Sequence, residues 1–204
     1  MAARVIACKK IAAVAREQIR SGVINFKRKY GYPPKLTVIM VGHDPASASY
    51  VRGKELACDE VGISSTTIKL PPHSTNDIIL RTIDELNNNS DTHGILVQLP
   101  LPTQVNHREI IKSINPLKDV DGLHPNNLGL LMSGAPRFIP ATPLGIQYLL
   151  IKDDIHLDGA EVVICGRSSL VGRPLAQLLT QASCGGNSTV TVCHSRTRHM
   201  EKIT

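Results

Sequence analysis

The stretch Val162-Val163-Ile164-Cys165-Gly166-Arg167-Ser168-Ser169-Leu170-Val171-Gly172-Arg173-Pro174 decides the fold. A short run rich in β-branched residues ends in Gly166. An apolar pattern at helical spacing follows, from about Leu170 to Ala182. This reads as a buried strand, a tight glycine turn and a helix N-terminus. Such a junction offers unpaired backbone N–H groups and a positive dipole end to a pyrophosphate. Pro174 is tolerated in the first turn, where its missing N–H is not needed. The spacing is G-x-S-x-x-x-G rather than G-x-G-x-x-G, so by itself it does not separate a nucleotide site from an ordinary strand-to-helix turn. Its place directly after a buried strand favours the nucleotide site.

Downstream, the strand Thr189–Cys193 ends at His194-Ser195-Arg196. A site that prefers NAD carries an acid at this strand end for the ribose 2′-hydroxyl. No acid is present here. Ser195, Arg196 and Arg167 instead supply a hydroxyl and guanidinium groups, which match a 2′-phosphate. The local chemistry therefore favours NADP over NAD; the alternative is that these arginines are solvated surface charge.

Upstream, strands and helices alternate. A helix from about Ile6 to Phe26 ends with basic Lys27-Arg28-Lys29, where cations suit the dipole, and Gly31 and Pro33-Pro34 stop it. Strands are expected at Leu36–Val41, Thr66–Leu70 and Ile95–Leu99, and helices at Ala46–Val61, Asn76–Leu86 and Glu109–Ile114. Pro116 to Pro143 reads as a long loop with one short helix near Asn127–Met132, and a helix from Leu144 to Lys152 leads into the nucleotide segment. Alternation of this kind predicts an α/β fold with parallel sheets. The domain boundary is expected near residue 144, giving 1–143 and 144–204.

Composition narrows the partners. The chain has 204 residues, 23 Lys+Arg against 17 Asp+Glu, and a net charge of +6. That modest excess suits an anionic small ligand. Aromatics are 3% and Trp is absent, which argues against a base-stacking nucleic-acid binder. Five Cys without a C-x-x-C pair signal neither a zinc site nor a disulfide framework; Cys165 and Cys193 are expected to be buried in a reducing compartment. No stretch is long and apolar enough for a membrane span. The basic first residues, Arg4, Lys9, Lys10 and Arg16, resemble an organellar targeting segment, but the spacing of Ile11, Val14, Ala15 and Ile19 favours a structural first helix.

Three segments carry candidate chemistry. Tyr50 and Lys54, four apart on a helix, share a face. A Lys beside a phenol in a cleft is partly desolvated, which suits proton shuttling; the alternative is that the pair merely covers the helix surface. Gln98, followed by Leu99-Pro100-Leu101-Pro102, stands at the carboxyl end of a strand, where α/β sheets bind ligands. Lys118-Asp119-Val120-Asp121-Gly122 places two carboxylates in the long loop. The third acid and the later Glu of a calcium loop are missing, so no metal is assigned. An Asp here can instead accept two N–H bonds from a heterocycle such as a 2-aminopyrimidinone, or cap a turn.

Six segments in order then agree with one family: Val41-Gly42-His43-Asp44-Pro45-Ala46-Ser47 through Tyr50-Val51 to Lys54; Gly94-Ile95-Leu96-Val97-Gln98-Leu99-Pro100-Leu101-Pro102; Lys118–Gly122; Pro140-Ala141-Thr142-Pro143; Gly166-Arg167-Ser168 with Val171-Gly172 and Pro174; and Cys193-His194-Ser195 with Thr197. The chain closely resembles bifunctional methylenetetrahydrofolate dehydrogenase/methenyltetrahydrofolate cyclohydrolase. The resemblance implies a three-layer α/β folate-binding domain followed by a Rossmann-type NADP-binding domain. It implies NADP-dependent oxidation of 5,10-methylenetetrahydrofolate, hydrolysis of the methenyl product to 10-formyltetrahydrofolate, a place in one-carbon metabolism and purine biosynthesis, a cytoplasmic location and a homodimer. By position, Lys54 resembles the catalytic lysine, Gln98 the amide that tunes it, Tyr50 the ring that stacks on the folate and Asp121 the carboxylate that holds the pterin. Ser47, Leu99 and Pro100 fall on substrate positions. Thr142, Gly166, Arg167, Ser168, Val171, Gly172, Pro174, His194, Ser195 and Arg196 fall on cofactor positions. The expected arrangement is a common crevice of Lys54, Gln98 and Asp121 facing the 166–172 turn.

Three departures accompany the resemblance. Ala141 stands where some members carry Cys. Some NAD-using members carry Arg at the position of Ser195 and an acid at that of Asn187, a pair absent here, which again favours NADP. The family also continues past the last strand seen here, into the rest of the nucleotide sheet, so the second domain is expected to be incomplete and the 204-residue chain weakly active or inactive. The alternative is a truncated remnant that binds folate or nucleotide without turnover. An unrelated Tyr-x-x-x-Lys oxidoreductase is disfavoured by chain order, since there the nucleotide turn precedes the Tyr and Lys.

Overall fold

The computed structural model describes residues 5–204, so Arg4 of the targeting reading lies outside the described residues. The chain divides into two compact units. One is Ala12–Val120; the other is Asp121–Thr204 with the beginning of the first helix, up to Ile11. The second unit thus starts ahead of residue 144.

In the first unit, helix α1 (Cys8–Tyr30) runs through the predicted span and stops at Gly31, whose φ is 84°. It is tied to α2 (Pro45–Val61) through Glu60: the Arg16 guanidinium meets the Glu60 carboxylate at 3.0 Å, and Arg20 donates twice to the Glu60 carbonyl, at 3.0 and 3.1 Å. Strands β1 (Lys35–Val41), β2 (Ser64–Leu70) and β3 (Gly94–Val97) form a parallel sheet in the order β2-β1-β3. The central strand sends alternate residues to opposite faces. Ile39 and Val41, with Ile95 and Val97, face α3 (Asn76–Asn88) and α4 (His107–Ser113) through Ile79, Ile83, Leu86, Ile110 and Ile114. Val38, Met40 and Leu96 face Val51 of α2 and Val120 on the other side. Burying both faces requires apolar residues at successive positions of β1 and β3, which is why both read as continuous apolar runs. This unit has the expected three layers.

Two details differ from expectation. β3 ends at Val97, short of Leu99, because the next positions lead into Pro100, which has no ladder donor; the Gln98 N–H still bonds the Ile39 carbonyl at 2.8 Å. The 116–120 stretch is also more than a loop. The Ile95 N–H donates to the Lys118 carbonyl at 2.7 Å, and Asp119 pairs in parallel with Ile95 as an isolated bridge. Gly94 makes room for it, since a Cβ there would lie 2.6 Å from Val120 Cγ1.

In the second unit, α5 (Pro125–Met132) forms where the sequence predicts a short helix and packs on α7 (Gly172–Thr180), with Gln181 Nε2 donating to the Leu131 carbonyl at 2.6 Å. Helix α6 (Ala141–Lys152) leads to β4 (Glu161–Cys165), and α7 connects it to the parallel β5 (Thr189–Cys193). Leu157, Ile164, Leu175 and Leu179 form the core, with Ile146 and Leu150 of α6 and Val190 against it. Strand, crossover helix and parallel strand make up the Rossmann-type unit. α7 is shorter than predicted. It starts at Gly172, just after Val171, whose N–H is held by Ser168 Oγ, and the chain turns extended at Gln181. The burial of Cys165 is corrected: Cys193 is buried, but Cys165, its register partner on β4, is exposed and lies outside the core of Leu157, Ile164, Leu175 and Leu179. A short 3₁₀ turn, Met200–Lys202, follows β5.

Candidate active site

The site in the first unit is built at the carboxyl end of the sheet. Helix α2 begins there because Asp44 caps it. The Asp44 carboxylate accepts the Ser47 N–H at 2.7 Å, and Pro45 occupies the first turn, where no N–H is needed. That bond, together with the Ser47 side chain, holds the Asp44 carboxyl below its ordinary value. Ser47 is buried under the first turn. One turn on, Tyr50 and Lys54 line the same open groove of about 310 Å³, with Gly53 between them and Ser49 and Ala57 at its edge. Tyr50 is 69% exposed, so its ring face is available for stacking.

Lys54 and Gln98 are brought together as expected, with Lys54 Nζ donating to Gln98 Oε1 at 2.9 Å. The orientation of the amide follows from its other end. Gln98 Nε2 donates to the Leu99 carbonyl at 2.7 Å, which leaves only the oxygen to face the lysine. The Leu99–Pro100 bond is cis, and Leu101 beyond it is buried in the core. Gln98 is thus held between the last ladder bond of β3 and an anchored proline loop. Its oxygen orients Lys54 by accepting this hydrogen bond. Lower on α2, burial pushes the Cys58 thiol up, with Asp59 and Glu55 adding to it, so this cysteine is an inert core residue.

The second unit opens with Asp121, which is half-buried. Gly122 follows with φ 65°, and a Cβ on it would lie 3.0 Å from the Ile139 carbonyl carbon and the Pro140 nitrogen. Asp121-Gly122 is therefore fixed against the Pro140-Ala141-Thr142-Pro143 segment by backbone approach. Thr142 is exposed in the first turn of α6.

The dinucleotide turn shows why its glycines are spaced as they are. A Cβ on Gly172 would lie 2.1 Å from the Gly166 carbonyl oxygen, and Gly166 itself has φ 142°. The helix start can abut the turn only with hydrogen at residue 172. Ser168 Oγ accepts the Val171 N–H at 3.1 Å and the Gly172 N–H at 3.5 Å, and its carbonyl accepts the Arg173 N–H at 3.0 Å. The donors expected to be open at this helix start are thus partly satisfied within the turn. Pro174 is buried in the first turn. At the end of β5, His194 and Thr197 build a tight loop: the His194 N–H donates to Thr197 Oγ1 at 2.8 Å, and His194 Nδ1 accepts the Arg196 N–H at 3.1 Å. This presents Ser195 and Arg196 outward, as Arg167 is on the neighbouring turn. The cradle between two glycines, with exposed guanidinium groups at both strand ends, fits a phosphate-rich dinucleotide. Among the described residues, no group of three or more His, Cys, Asp or Glu side chains is placed to hold a metal ion.

The residue that sequence reasoning missed is Lys118. In sequence it reads only as part of a motif, yet its ammonium donates to the carbonyls of Leu86, Asn87 and Asn89 at the end of α3. Its partners lie 29–32 positions away, so no local signal announces them.

Comparison with known proteins agrees with both units. The model of the tetrahydrofolate dehydrogenase/cyclohydrolase catalytic domain matches residues 6–121, and that of the corresponding NAD(P)-binding domain matches 140–204. The bifunctional protein FolD of Dehalococcoides mccartyi strain CBDB1 is 48% identical over 204 residues, which is all of this chain and 69% of that protein. FolD of Oceanobacillus iheyensis is 49% identical over 196 residues, covering 96% of this chain and 67% of the relative. Among solved structures, the Campylobacter jejuni bifunctional FolD methylenetetrahydrofolate dehydrogenase/cyclohydrolase superposes with a TM-score of 0.90 at 41% identity, covering 97% of this chain and 68% of that one. The Trypanosoma brucei enzyme, solved with NADP cofactor and an inhibitor, gives 0.88 at 31% identity, over 98% of this chain and 67% of its own. With both of its units matched in order, the chain belongs to the tetrahydrofolate dehydrogenase/cyclohydrolase family.

Proposed function

We propose that this chain oxidises 5,10-methylenetetrahydrofolate to the methenyl cation with NADP and hydrolyses that cation to 10-formyltetrahydrofolate. The observation that carries the reading is the Lys54 Nζ to Gln98 Oε1 bond of 2.9 Å, beside an exposed Tyr50 ring at the carboxyl edge of the sheet. NADP, when bound, supplies the acceptor for the hydride that leaves the bridging methylene. Gly166, Arg167, Ser168, Val171, Gly172 and Pro174, with Thr142, His194, Ser195 and Arg196, are the residues proposed to hold it.

The remaining work falls to the chain's own side chains. Tyr50 stacks on the folate, flanked by Ser47, Leu99 and Pro100, and Asp121 accepts the pterin N–H groups. The first step then needs mainly positioning. In the second, water attacks the methenyl carbon. Lys54 takes one proton from that water and returns it to the ring nitrogen released as the C–N bond breaks, and the remaining hydroxyl proton leaves to solvent as the formyl C=O forms. Gln98 keeps the lysine nitrogen aimed. The same reading divides the chain functionally at 143/144 and makes the protein a cytoplasmic homodimer. No helix of the described residues is long and apolar enough to cross a membrane.

The test is direct. The 204-residue chain is assayed for NADPH formation from 5,10-methylenetetrahydrofolate and for hydrolysis of the methenyl compound. Lys54→Met is expected to lower hydrolysis by about a hundredfold or more, the lower end of what general acid–base catalysis contributes. Hydrolysis that survives the substitution removes Lys54 from its role. Binding of both ligands without any turnover selects the binding remnant instead.

A further inference from the structure

We propose that Lys118 is a positioning residue for Asp121, holding the segment that delivers this carboxylate to the folate. The inference rests on the reading of Asp121 given above.

Three observations carry it. First, the Lys118 ammonium is fully engaged. Nζ donates to the carbonyls of Leu86 at 2.9 Å, Asn87 at 2.8 Å and Asn89 at 2.7 Å, which accounts for the three donors an ammonium has. These acceptors lie at the α3 C-terminus, a helix with no basic residue of its own in the last turn, and the Asn89 carbonyl also takes the Thr92 N–H at 3.1 Å. Second, the backbone of the same segment is zipped to the sheet. The Lys118 carbonyl accepts the Ile95 N–H, Asp119 pairs with Ile95 and is 1% exposed, and Val120 fills the space left by Gly94. Third, the Asn87 side chain holds the start of the same stretch. Its Nδ2 donates to the Ser113 carbonyl and its Oδ1 accepts the Asn115 N–H, both at 2.8 Å. Residues 113–120 are thereby pinned at several points, and Asp121 leaves from the end of that clamp.

A half-buried ammonium is a costly way to obtain stability. Desolvation holds Lys118 below its ordinary value, and apolar groups of similar volume often stabilise at least as well. What three carbonyl partners add is restriction: they fix where the ammonium lies and so limit how far the segment that carries it can move. A pterin-binding carboxylate three residues on needs that fixed placement.

The experiment is a double-mutant cycle in the full chain. Dissociation constants for tetrahydrofolate and for NADP are measured by calorimetry on the wild type, Lys118→Met, Asp121→Asn and the double variant. Lys118→Arg serves as the milder change should Lys118→Met fold poorly. Expected results are folate binding weakened about tenfold by Lys118→Met and NADP binding changed less than about twofold. In the Asp121→Asn background the same substitution is expected to change folate binding less than about twofold, since coupled residues are not additive. Equal losses in both backgrounds, or parallel losses of folate and NADP binding, overturn the inference and leave Lys118 a structural cap. If Asp121→Asn leaves folate binding unchanged, the site reading fails, and this inference with it.

Discussion

At residue 172 a single hydrogen atom sets the geometry of the nucleotide turn. The Cβ of any other residue would sit 2.1 Å from the Gly166 oxygen and 2.7 Å from its carbonyl carbon, both backbone atoms that cannot rotate away. Gly172→Ala is therefore expected to cost about 1–3 kcal/mol, the range for overpacking a tight site, and to weaken NADP binding by about tenfold or more. Thermal unfolding and calorimetry check both. Gly145, inside α6, is the control. A Cβ there meets nothing within 4 Å, and Gly145→Ala is expected to stabilise by about 0.5–1 kcal/mol through helix propensity. A Gly172→Ala chain as stable as the wild type would show that the turn opens readily.

At the scale of an element, α2 carries Tyr50 and Lys54, and its first turn is held by one carboxylate. Asp44 is depressed below its ordinary value of 3.8 by the Ser47 N–H. A depressed acid stabilises the folded chain above its unfolded value, and that contribution disappears as pH falls through the folded value. Asp44→Asn keeps a capping side chain but does not titrate. The wild type should therefore melt higher than Asp44→Asn at neutral pH, and the gap should close as pH falls below about 4. Melting temperatures measured from about pH 7 down to about pH 3 test this. A gap independent of pH would mean that charge adds nothing to the cap.

Over the whole molecule, the two units have separate cores of different depth. Ile39, Ile79, Ile83, Ile95 and Ile110 are fully buried between the sheet and the α3–α4 layer, and α2 covers the other face. In the two-stranded β4–β5 sheet, Val163 and Val192 stay 38% and 37% exposed. The free energy of local opening rises with the apolar surface that opening would bare to water. Amide exchange in β1 and β3 is expected to be slowest, with β4 and β5 about tenfold faster or more. Equal protection in the two sheets would contradict this difference between the cores.

Much of this was written in local pattern. The continuous apolar runs of β1 and β3, the stop at Gly31, the capped start of α2 and the glycine turn after Cys165 follow from periodicity and backbone preference, which neighbouring residues decide among themselves. Residue types also marked Lys54, Gln98 and Asp121 as chemistry, through motifs whose order names a family. Tertiary structure alone decided what these groups touch. The Gln98 amide is oriented by the Leu99 carbonyl, the α7 donors are claimed by Ser168, Cys165 is left exposed, and Lys118 reaches across to the end of α3. Partners of that kind are chosen when the sheet closes and distant segments compete for the same orphan donors and acceptors, and no window of sequence contains both sides of the bond.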